Sequence, residues 1–224
     1  MAPKGDGRAL EIEITDLAFG GEGVGRFQGR VHFVAGAFPG ERVRVIPGRG
    51  GARWRRARLL EILNPSRDRI APRCSHTALC GGCVYQCLAY ERQLEAKAHQ
   101  VRENLARIAG QTPPEPEPPL AAPRTFHYRN KMEFSFAPWG WDPQGLPSER
   151  PPGPALGLHV PGRFDAVFDI RDCALPDPEV NHLVALVRDF ARARGVSAYD
   201  SRRHAGILRH LVVRASEQTG EWHG

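Results

Sequence analysis

Four of the five cysteines in this 224-residue chain fall within one short segment, as C-x5-C-G-G-C-x3-C: Cys74, Cys80, Cys83 and Cys87. Thiolates gathered this densely can surround one inorganic centre, and both zinc and iron–sulfur clusters take four of them. Structural zinc sites usually combine two C-x2-C pairs, whereas this segment has only Cys80 and Cys83 at that spacing, which favours an iron–sulfur cluster over zinc. Buried cysteines without a ligand role are the remaining alternative. On spacing alone, Cys87 would be the fourth ligand.

The composition indicates a globular protein of a reducing compartment. With 41% hydrophobic and 25% charged residues, the chain is too apolar for a disordered tail and too polar for a membrane protein. Its longest apolar run, Leu183 to Val187, is far shorter than the roughly 18 residues of a spanning helix, and its first residues lack a signal-peptide pattern. Five cysteines, an odd number, do not suggest a disulfide framework. We therefore predict a cytoplasmic monomer without membrane association.

The positive charge is concentrated in the first third of the chain. The formal net charge is +6, and residues 1–73 hold 14 basic against 8 acidic side chains. Four arginines within a short acid-free stretch would give a focused positive potential suited to phosphates: Arg53, Arg55, Arg56 and Arg58. The alternative is a solvated strand face, because only three lysines accompany 28 arginines and the arginine content is high throughout the chain.

Residues 1–63 are predicted to form a small OB-like β-barrel. Apolar and polar side chains alternate over residues 10–15, and further short strand patterns follow up to residue 63, separated by turn signals such as Gln28-Gly29. The glycines at 20–25 do not fit the dinucleotide pattern G-x-G-x-x-G, because Arg26 occupies the third position and a strand pattern follows. They are interpreted as turn residues.

Residues 64–224 are predicted to form a second, mixed domain, which makes the fold class α+β. A helix is expected over 88–109, with its apolar face formed by Leu94, Ala98, Val101, Leu105 and Ile108. The proline-rich residues 112–123 are expected to form a stiff connection. Beyond it, strand patterns occur at 128–136, 155–159, 166–170 and 207–214, and Asp177-Pro178 begins a helix that ends at Gly195.

Several motifs in order resemble the S-adenosylmethionine-dependent RNA uracil-5-methyltransferases that carry a 4Fe-4S cluster. Besides a TRAM-like N-terminal segment, these are R-C-S-H-T-A-L-C-G-G-C-V-Y-Q at 73–86, Y-R-N-K-M-E-F-S-F at 128–136, G-L-H-V-P-G-R-F-D-A-V-F-D-I-R-D-C at 157–173 and I-L-R-H-L-V-V-R at 207–214. The resemblance implies that the cluster is held by Cys74, Cys80, Cys83 and Cys173. Cys87 stands where the family often has histidine, so the resemblance replaces it with Cys173.

The resemblance also implies what this chain would lack. Methylation of uracil at C5 needs a cysteine thiolate that adds at C6, a base and a bound methyl donor. In the family these lie in a C-terminal doubly wound domain that also binds S-adenosylmethionine. No cysteine follows Cys173, and no strand with a glycine-rich turn and helix follows residue 195. The expectation is a chain that lacks this domain and is inactive alone.

The predicted role is therefore RNA recognition within such an enzyme. The expected partner is ribosomal RNA, 23S RNA in particular. On a charged strand face, Arg129 and Lys131 are candidate RNA contacts, with cross-strand pairing to acids as the alternative. Trp139 and Trp141 could stack on bases, but packing over a sheet edge is preferred. The alternative functions are a non-catalytic RNA-binding module stabilised by zinc or a cluster, and an iron–sulfur electron carrier.

Overall fold

The computed structural model describes residues 8–112, 117–141 and 153–223. Its contacts divide the chain into two compact units: Met1–Pro72 with Val84–Ala121, and Arg73–Cys83 with Ala122–Gly224. This division differs from the expected boundary at residue 63, because the long helix packs with the barrel. No helix within the described ranges is long and apolar enough to cross a membrane.

Five strands of the first unit close into a barrel with the order β1-β2-β3-β5-β4. They are β1 (Leu10–Leu17), β2 (Glu22–Phe27), β3 (Arg30–Ala35), β4 (Arg42–Gly50) and β5 (Trp54–Asn64). Neighbouring strands are antiparallel, except that β3 and β5 run parallel. Alternate side chains point inward and form an apolar core that includes Ile12, Ile14, Val34, Val43 and Val45. The barrel predicted from this alternation is confirmed.

Two turns of the barrel explain its glycines. Between β2 and β3, Gln28 and Gly29 have φ angles of 48° and 76°, the left-handed pair that a two-residue hairpin turn requires. Between β1 and β2, Gly20 and Gly21 also have positive φ angles, and a Cβ on Gly21 would lie 2.8 Å from the Val84 side chain. The glycines of this stretch therefore shape a turn, as predicted, and not a nucleotide-binding loop.

A buried ion pair joins the β3–β4 connection to the segment after β5. Glu41 is fully buried, and its carboxylate accepts hydrogen bonds from Arg69 Nε at 2.5 Å and Arg69 Nη2 at 2.9 Å. The backbone amides of Phe38 and Ser66 donate to the same carboxylate at 2.9 Å and 3.3 Å. Arg69 also donates to the Gly36 carbonyl oxygen. Both carboxylate oxygens of Glu41 thus accept hydrogen bonds, and the Arg69 guanidinium balances their charge, as a buried charge requires.

The first unit also contains helix α1 (Tyr90–Ile108), within the predicted range 88–109. Gly110, with a φ angle of 64°, follows its end. The predicted apolar face is wrong for the second half of the helix, where Val101, Leu105 and Ile108 are exposed. Of the proline-rich connection at 112–123, residues 113–116 lie outside the described residues, and the others form neither helix nor strand.

The helix is instead held to the barrel by a polar side chain. Gln100 is 8% exposed, and its amide nitrogen donates to the carbonyl oxygens of Leu17 at 3.2 Å and Ala18 at 3.0 Å. The Tyr85 hydroxyl lies 3.1 Å from the same nitrogen. These carbonyls lie at the end of β1, where the Ala18 oxygen also accepts a hydrogen bond from the Gly21 amide at 2.9 Å.

We expect Gln100→Ala to lower the free energy of unfolding of the first unit by about 1–3 kcal/mol, because two hydrogen bonds from this buried side chain to the Leu17 and Ala18 carbonyl oxygens would be lost. Lys97→Ala, on the exposed side of the same helix, is the control and should change stability much less. Urea unfolding of both variants, followed by circular dichroism, measures the difference. Equal stability of the two variants would contradict the anchoring role of Gln100.

The second unit contains an antiparallel sheet with the order β10-β9-β6-β7-β8. Its strands are β6 (Lys131–Ala137), β7 (Ala155–His159), β8 (Val167–Asp169), β9 (His210–Ala215) and β10 (Trp222–His223). One face of β6 presents Met132, Phe134 and Phe136 to an apolar core. The strands expected around 128–136, 155–159, 166–170 and 207–214 are therefore present: β7 has the predicted bounds, and the other three are shorter than predicted.

Helix α2 (Pro178–Ala193) covers that apolar face of the sheet. Asp177 caps the helix by accepting a hydrogen bond from the Glu179 backbone amide at 2.9 Å, and Pro178 occupies the first turn, as predicted. Val180 and Val184 enter the core. The two-unit α+β architecture expected from the sequence is confirmed for these parts of the chain.

Candidate functional site

The cysteine segment of the second unit is a series of tight turns. The amides of Leu79 and Cys80 donate to the His76 carbonyl oxygen at 2.9 Å and 2.8 Å, and the Gly82 amide donates to Cys80 Sγ at 3.3 Å. A Cβ on Gly81 would lie 2.9 Å from Pro161 Cγ, so glycine lets this turn approach its neighbour closely. Small residues between Cys80 and Cys83 therefore permit the compact path that the sequence suggested.

Cys173 is held against the same unit by residues that sequence reasoning missed. It is buried in the apolar core against which Cys80 and Cys83 also pack. The side chain of Asn181 on α2 accepts a hydrogen bond from the Cys173 amide at 2.9 Å and donates to the Cys173 carbonyl oxygen at 3.1 Å. His76 Nε2 accepts from the Arg171 amide at 3.2 Å. The cysteine segment and the residues around Cys173 are thus directly connected.

The thiols influence one another electrostatically. Burial raises the pKa of Cys173 to about 11, and the charges of Cys74, Cys83 and Cys80 contribute to the rise. Burial likewise raises the pKa of Cys80, with a further contribution from Cys74. Contacts agree with this influence: Cys80 and Cys83 pack against the apolar cluster that contains Cys173. Cys74 Sγ lies 3.9 Å from the carbonyl oxygen of Asp172, the residue before Cys173.

Four neighbouring thiols beside an apolar core have the donor chemistry of an iron–sulfur or zinc centre. Because cysteine binds a cation as the thiolate, binding of a cation would release protons from these thiols. In the part of the chain that the structure describes, no group of three or more His, Cys, Asp or Glu side chains is arranged to hold a metal ion. The four cysteines fit such a centre by their donor type, and a cluster held by them stays a prediction.

Cys87 belongs to the first unit and has a different environment. It packs against the small apolar cluster of Leu17, Phe38 and Leu88. Its carbonyl oxygen accepts a hydrogen bond from the Ile70 amide at 2.9 Å. Cys87 therefore takes part in the packing of the barrel unit, while the other four cysteines share the second unit.

The four arginines predicted to contact phosphates lie on and before β5, but on different faces. Arg53 and Arg58 are exposed, and neither forms an ion pair within the described residues. Arg56 is also exposed and pairs with Glu22, with Nε 3.1 Å from Oε1. Arg55 is half-buried beside His32. Burial is the main cause that lowers the pKa of His32, and the positive charge of Arg55 lowers it further. Three of the four guanidinium groups therefore remain available to solvent.

Arg129 and Lys131 are exposed in the second unit. The alternative of cross-strand pairing with acids is not observed among the described residues, because the register of β6 and β9 places Lys131 opposite Arg214. Lys131 and Arg214 thus place two like charges side by side, which strengthens the local positive potential. The exposure of Arg129 and Lys131 is compatible with a phosphate contact.

Trp139 and Trp141 line a cavity of 770 Å³ in the second unit. The guanidinium of Arg163 lies 5.9 Å from the centre of the Trp141 ring. The Trp141 amide donates to the Val167 carbonyl oxygen at 2.7 Å. This backbone contact places Trp141 beside β8 at the edge of the sheet, whereas Trp139 is 44% exposed. The packing of the two indole rings stays a prediction.

Residues 3–46, which carry β1 to β3 and the start of β4, match the family described as the TRAM domain. Over 221 residues the chain is 38% identical to an uncharacterized RNA methyltransferase of Chlorobaculum tepidum, an alignment that covers 96% of this chain and 45% of that protein. A second uncharacterized RNA methyltransferase, from Gloeobacter violaceus, is 38% identical over 218 residues, with coverage of 96% and 45%.

The fold is similar to that of the Pyrococcus abyssi tRNA (uracil-54, C5)-methyltransferase solved in complex with S-adenosyl-L-homocysteine. The TM-score is 0.62 at 22% identity, and the match covers 94% of this chain and 44% of that one. The chain thus spans about 45% of the length of the curated relatives that it matches, corresponding to the N-terminal part of RNA methyltransferases.

Proposed function

We propose that this chain is the RNA-recognition and iron–sulfur portion of an S-adenosylmethionine-dependent RNA uracil-5-methyltransferase. The observation that carries the proposal is the 38% identity, over 96% of the chain, to a protein described as an RNA methyltransferase. Uracil as the methylated base is supported by the description of the solved Pyrococcus abyssi enzyme and by the ordered motifs of the sequence. S-adenosylmethionine would be bound by the whole enzyme.

The substrate that we propose is ribosomal RNA, 23S RNA in particular. The ground is the resemblance to enzymes that join a TRAM-like domain to a cluster domain, since both the barrel and the grouped thiols are present here. The solvent-facing Arg53, Arg56 and Arg58 on one unit, and Arg129 and Lys131 on the other, would contact its phosphates.

The cluster that we propose is a 4Fe-4S cluster held by Cys74, Cys80, Cys83 and Cys173. When bound, it would supply four iron–thiolate bonds that cross-link the cysteine segment to the residues after β8. Asn181 orients the backbone of Cys173 for this role through its two hydrogen bonds. Because free thiols must persist until the cluster is assembled, we place the protein in the cytoplasm.

The RNA-binding proposal predicts a change in salt dependence. Replacing Arg53, Arg55, Arg56 and Arg58 together by alanine should weaken RNA binding and flatten the dependence of log K on log salt. Each lost phosphate contact on single-stranded RNA lowers the slope by about 0.7, so loss of the three solvent-facing arginines lowers it by up to about 2. Fluorescence anisotropy with labelled ribosomal RNA fragments over a salt series measures the slope.

A matched pair of double variants separates phosphate contact from net charge. Arg53 and Arg58 are without ion pairs in the described residues, whereas Arg42 and Arg44 are paired with Glu11 on the same barrel. Both double alanine variants remove two charges, but only the first should flatten the slope. Equal slopes in the wild type and the four-arginine variant would refute the proposed RNA contact of this patch.

A further inference from the structure

A shallow pocket of 520 Å³ opens on the barrel beside the predicted arginine patch. It is formed by the β1–β2 turn, by β3 and by the residues that lead into β5. The aromatic and charged side chains that line it are Phe19, Glu22, Phe33, Arg53, Trp54 and Arg56. Sequence reasoning identified the arginines here but none of the aromatic residues.

The aromatic side chains of this pocket are unusually accessible. Phe19 is 79% exposed and Trp54 is 46% exposed, although large apolar side chains in water cost free energy. The Phe33 and Trp54 rings meet edge to face, with centroids 6.2 Å apart and planes at 70°. This contact limits the rotation of the indole while leaving much of its surface to solvent, as a stacking platform requires.

The arginines give the same pocket a positive rim. Arg53 is exposed and has no ion pair within the described residues. Arg56 Nε lies 3.1 Å and 3.3 Å from the two oxygens of Glu22, so its other two guanidinium nitrogens can still donate. Parallel pairing of β3 with β5 places Phe33 directly beside Arg56. Aromatic surface and guanidinium groups thus alternate along one outward face.

From this geometry we infer that the pocket binds one unpaired nucleotide, with its base against Phe19 and Trp54 and its phosphate on Arg53 and Arg56. The inference rests on the proposed RNA binding and names the kind of RNA that the barrel selects. Bases in an A-form duplex are stacked within the helix, so aromatic side chains can reach only unpaired bases. OB-type barrels bind oligonucleotides through comparable elements, namely the strand 2–3 face and the loops 1–2 and 4–5.

The test compares binding of the full chain to a short labelled oligouridine and to an RNA duplex of the same length. Trp54→Ala should weaken oligouridine binding by roughly 10-fold, because one base loses its stacking partner. It should leave the salt slope and duplex binding unchanged. Trp54→Phe should restore most of the affinity. Trp222→Ala, which removes an exposed tryptophan of the second unit, is the control and should bind oligouridine as the wild type does.

Three other outcomes are informative. If Trp54→Ala binds oligouridine normally while the four-arginine variant binds weakly, the stacking inference is overturned and the proposed RNA binding stands. If Trp54→Ala weakens duplex and oligouridine equally, selection of unpaired nucleotides is overturned. If the wild-type chain binds neither RNA, the proposed function itself fails. Circular dichroism of Trp54→Ala must match the wild type, and Phe19→Ala provides a second variant at a more exposed ring.

Discussion

Cys173→Ser is expected to abolish binding of the iron–sulfur cluster, whereas Cys87→Ser is expected to leave it intact. Cys173 is buried among residues of the second unit, and its pKa responds to Cys74, Cys80 and Cys83. Serine at this position would remove one of four thiolate ligands from a site that the protein backbone already holds in place through Asn181. Cys87 packs in the first unit, against Leu17 and Phe38.

Anaerobic purification with measurement of iron and visible absorbance tests this expectation. The wild-type chain should be brown and contain about four irons. Cys173→Ser should be nearly colourless and lose most of its iron, and Cys87→Ser should match the wild type in both measurements. Colourless wild-type protein with one bound zinc would contradict the cluster, and loss of iron in Cys87→Ser alone would restore the ligand set suggested by spacing.

Glu41→Ala is expected to destabilise the barrel unit by about 3–5 kcal/mol, because it leaves the Arg69 guanidinium near the protein interior without its partner. It also removes the acceptor for the Phe38 and Ser66 amides. Stability would be measured by chemical unfolding of the full chain. Glu11→Ala is the matched control on the same barrel, since Glu11 pairs with Arg42 and Arg44 at the surface, and its effect should be much smaller.

A double variant identifies the cause of that loss. Glu41→Ala combined with Arg69→Met leaves no uncompensated charge, so it should recover part of the stability lost by Glu41→Ala alone. A double variant as unstable as the sum of the two single variants would assign the loss to packing and to the backbone amides instead.

Local patterns in the sequence predicted most of the elements but not the contacts between distant ones. Alternation predicted β1, and Asp177 with Pro178 predicted the start of α2, because strand faces and helix caps are decided by residues close in sequence. The exposure of Val101 and Leu105 was not predictable from the α1 pattern. The buried residue of that helix is Gln100, because its side chain donates to the carbonyl oxygens of Leu17 and Ala18, which are distant in sequence.

In the candidate site, too, local patterns were predictable and contacts between distant residues were not. The spacing of Cys74, Cys80 and Cys83 identified a thiol-rich segment, but spacing favoured Cys87 as its fourth member. Only the family resemblance indicated Cys173, because nothing in the local pattern links positions separated by the whole of the first helix and three strands. In the structure, Cys80 and Cys83 pack against the apolar cluster that contains Cys173, and the four-cysteine ligand set stays a prediction. Asn181 could not be recognised from sequence, since its role depends on the turn and helix start that bring its side chain to the backbone of Cys173.

The division of the chain into interleaved units has a consequence for its synthesis. The first unit is built from Met1–Pro72 and Val84–Ala121, so all its residues leave the ribosome before β6 begins at Lys131. Domains generally fold as they emerge, N-terminal first. Residues 73–83 would then be a closed loop, tethered at both ends by a folded unit, while Cys173 is still untranslated. A nascent chain would therefore present Cys74, Cys80 and Cys83 in a loop closed by the folded first unit before the last proposed ligand, Cys173, is translated.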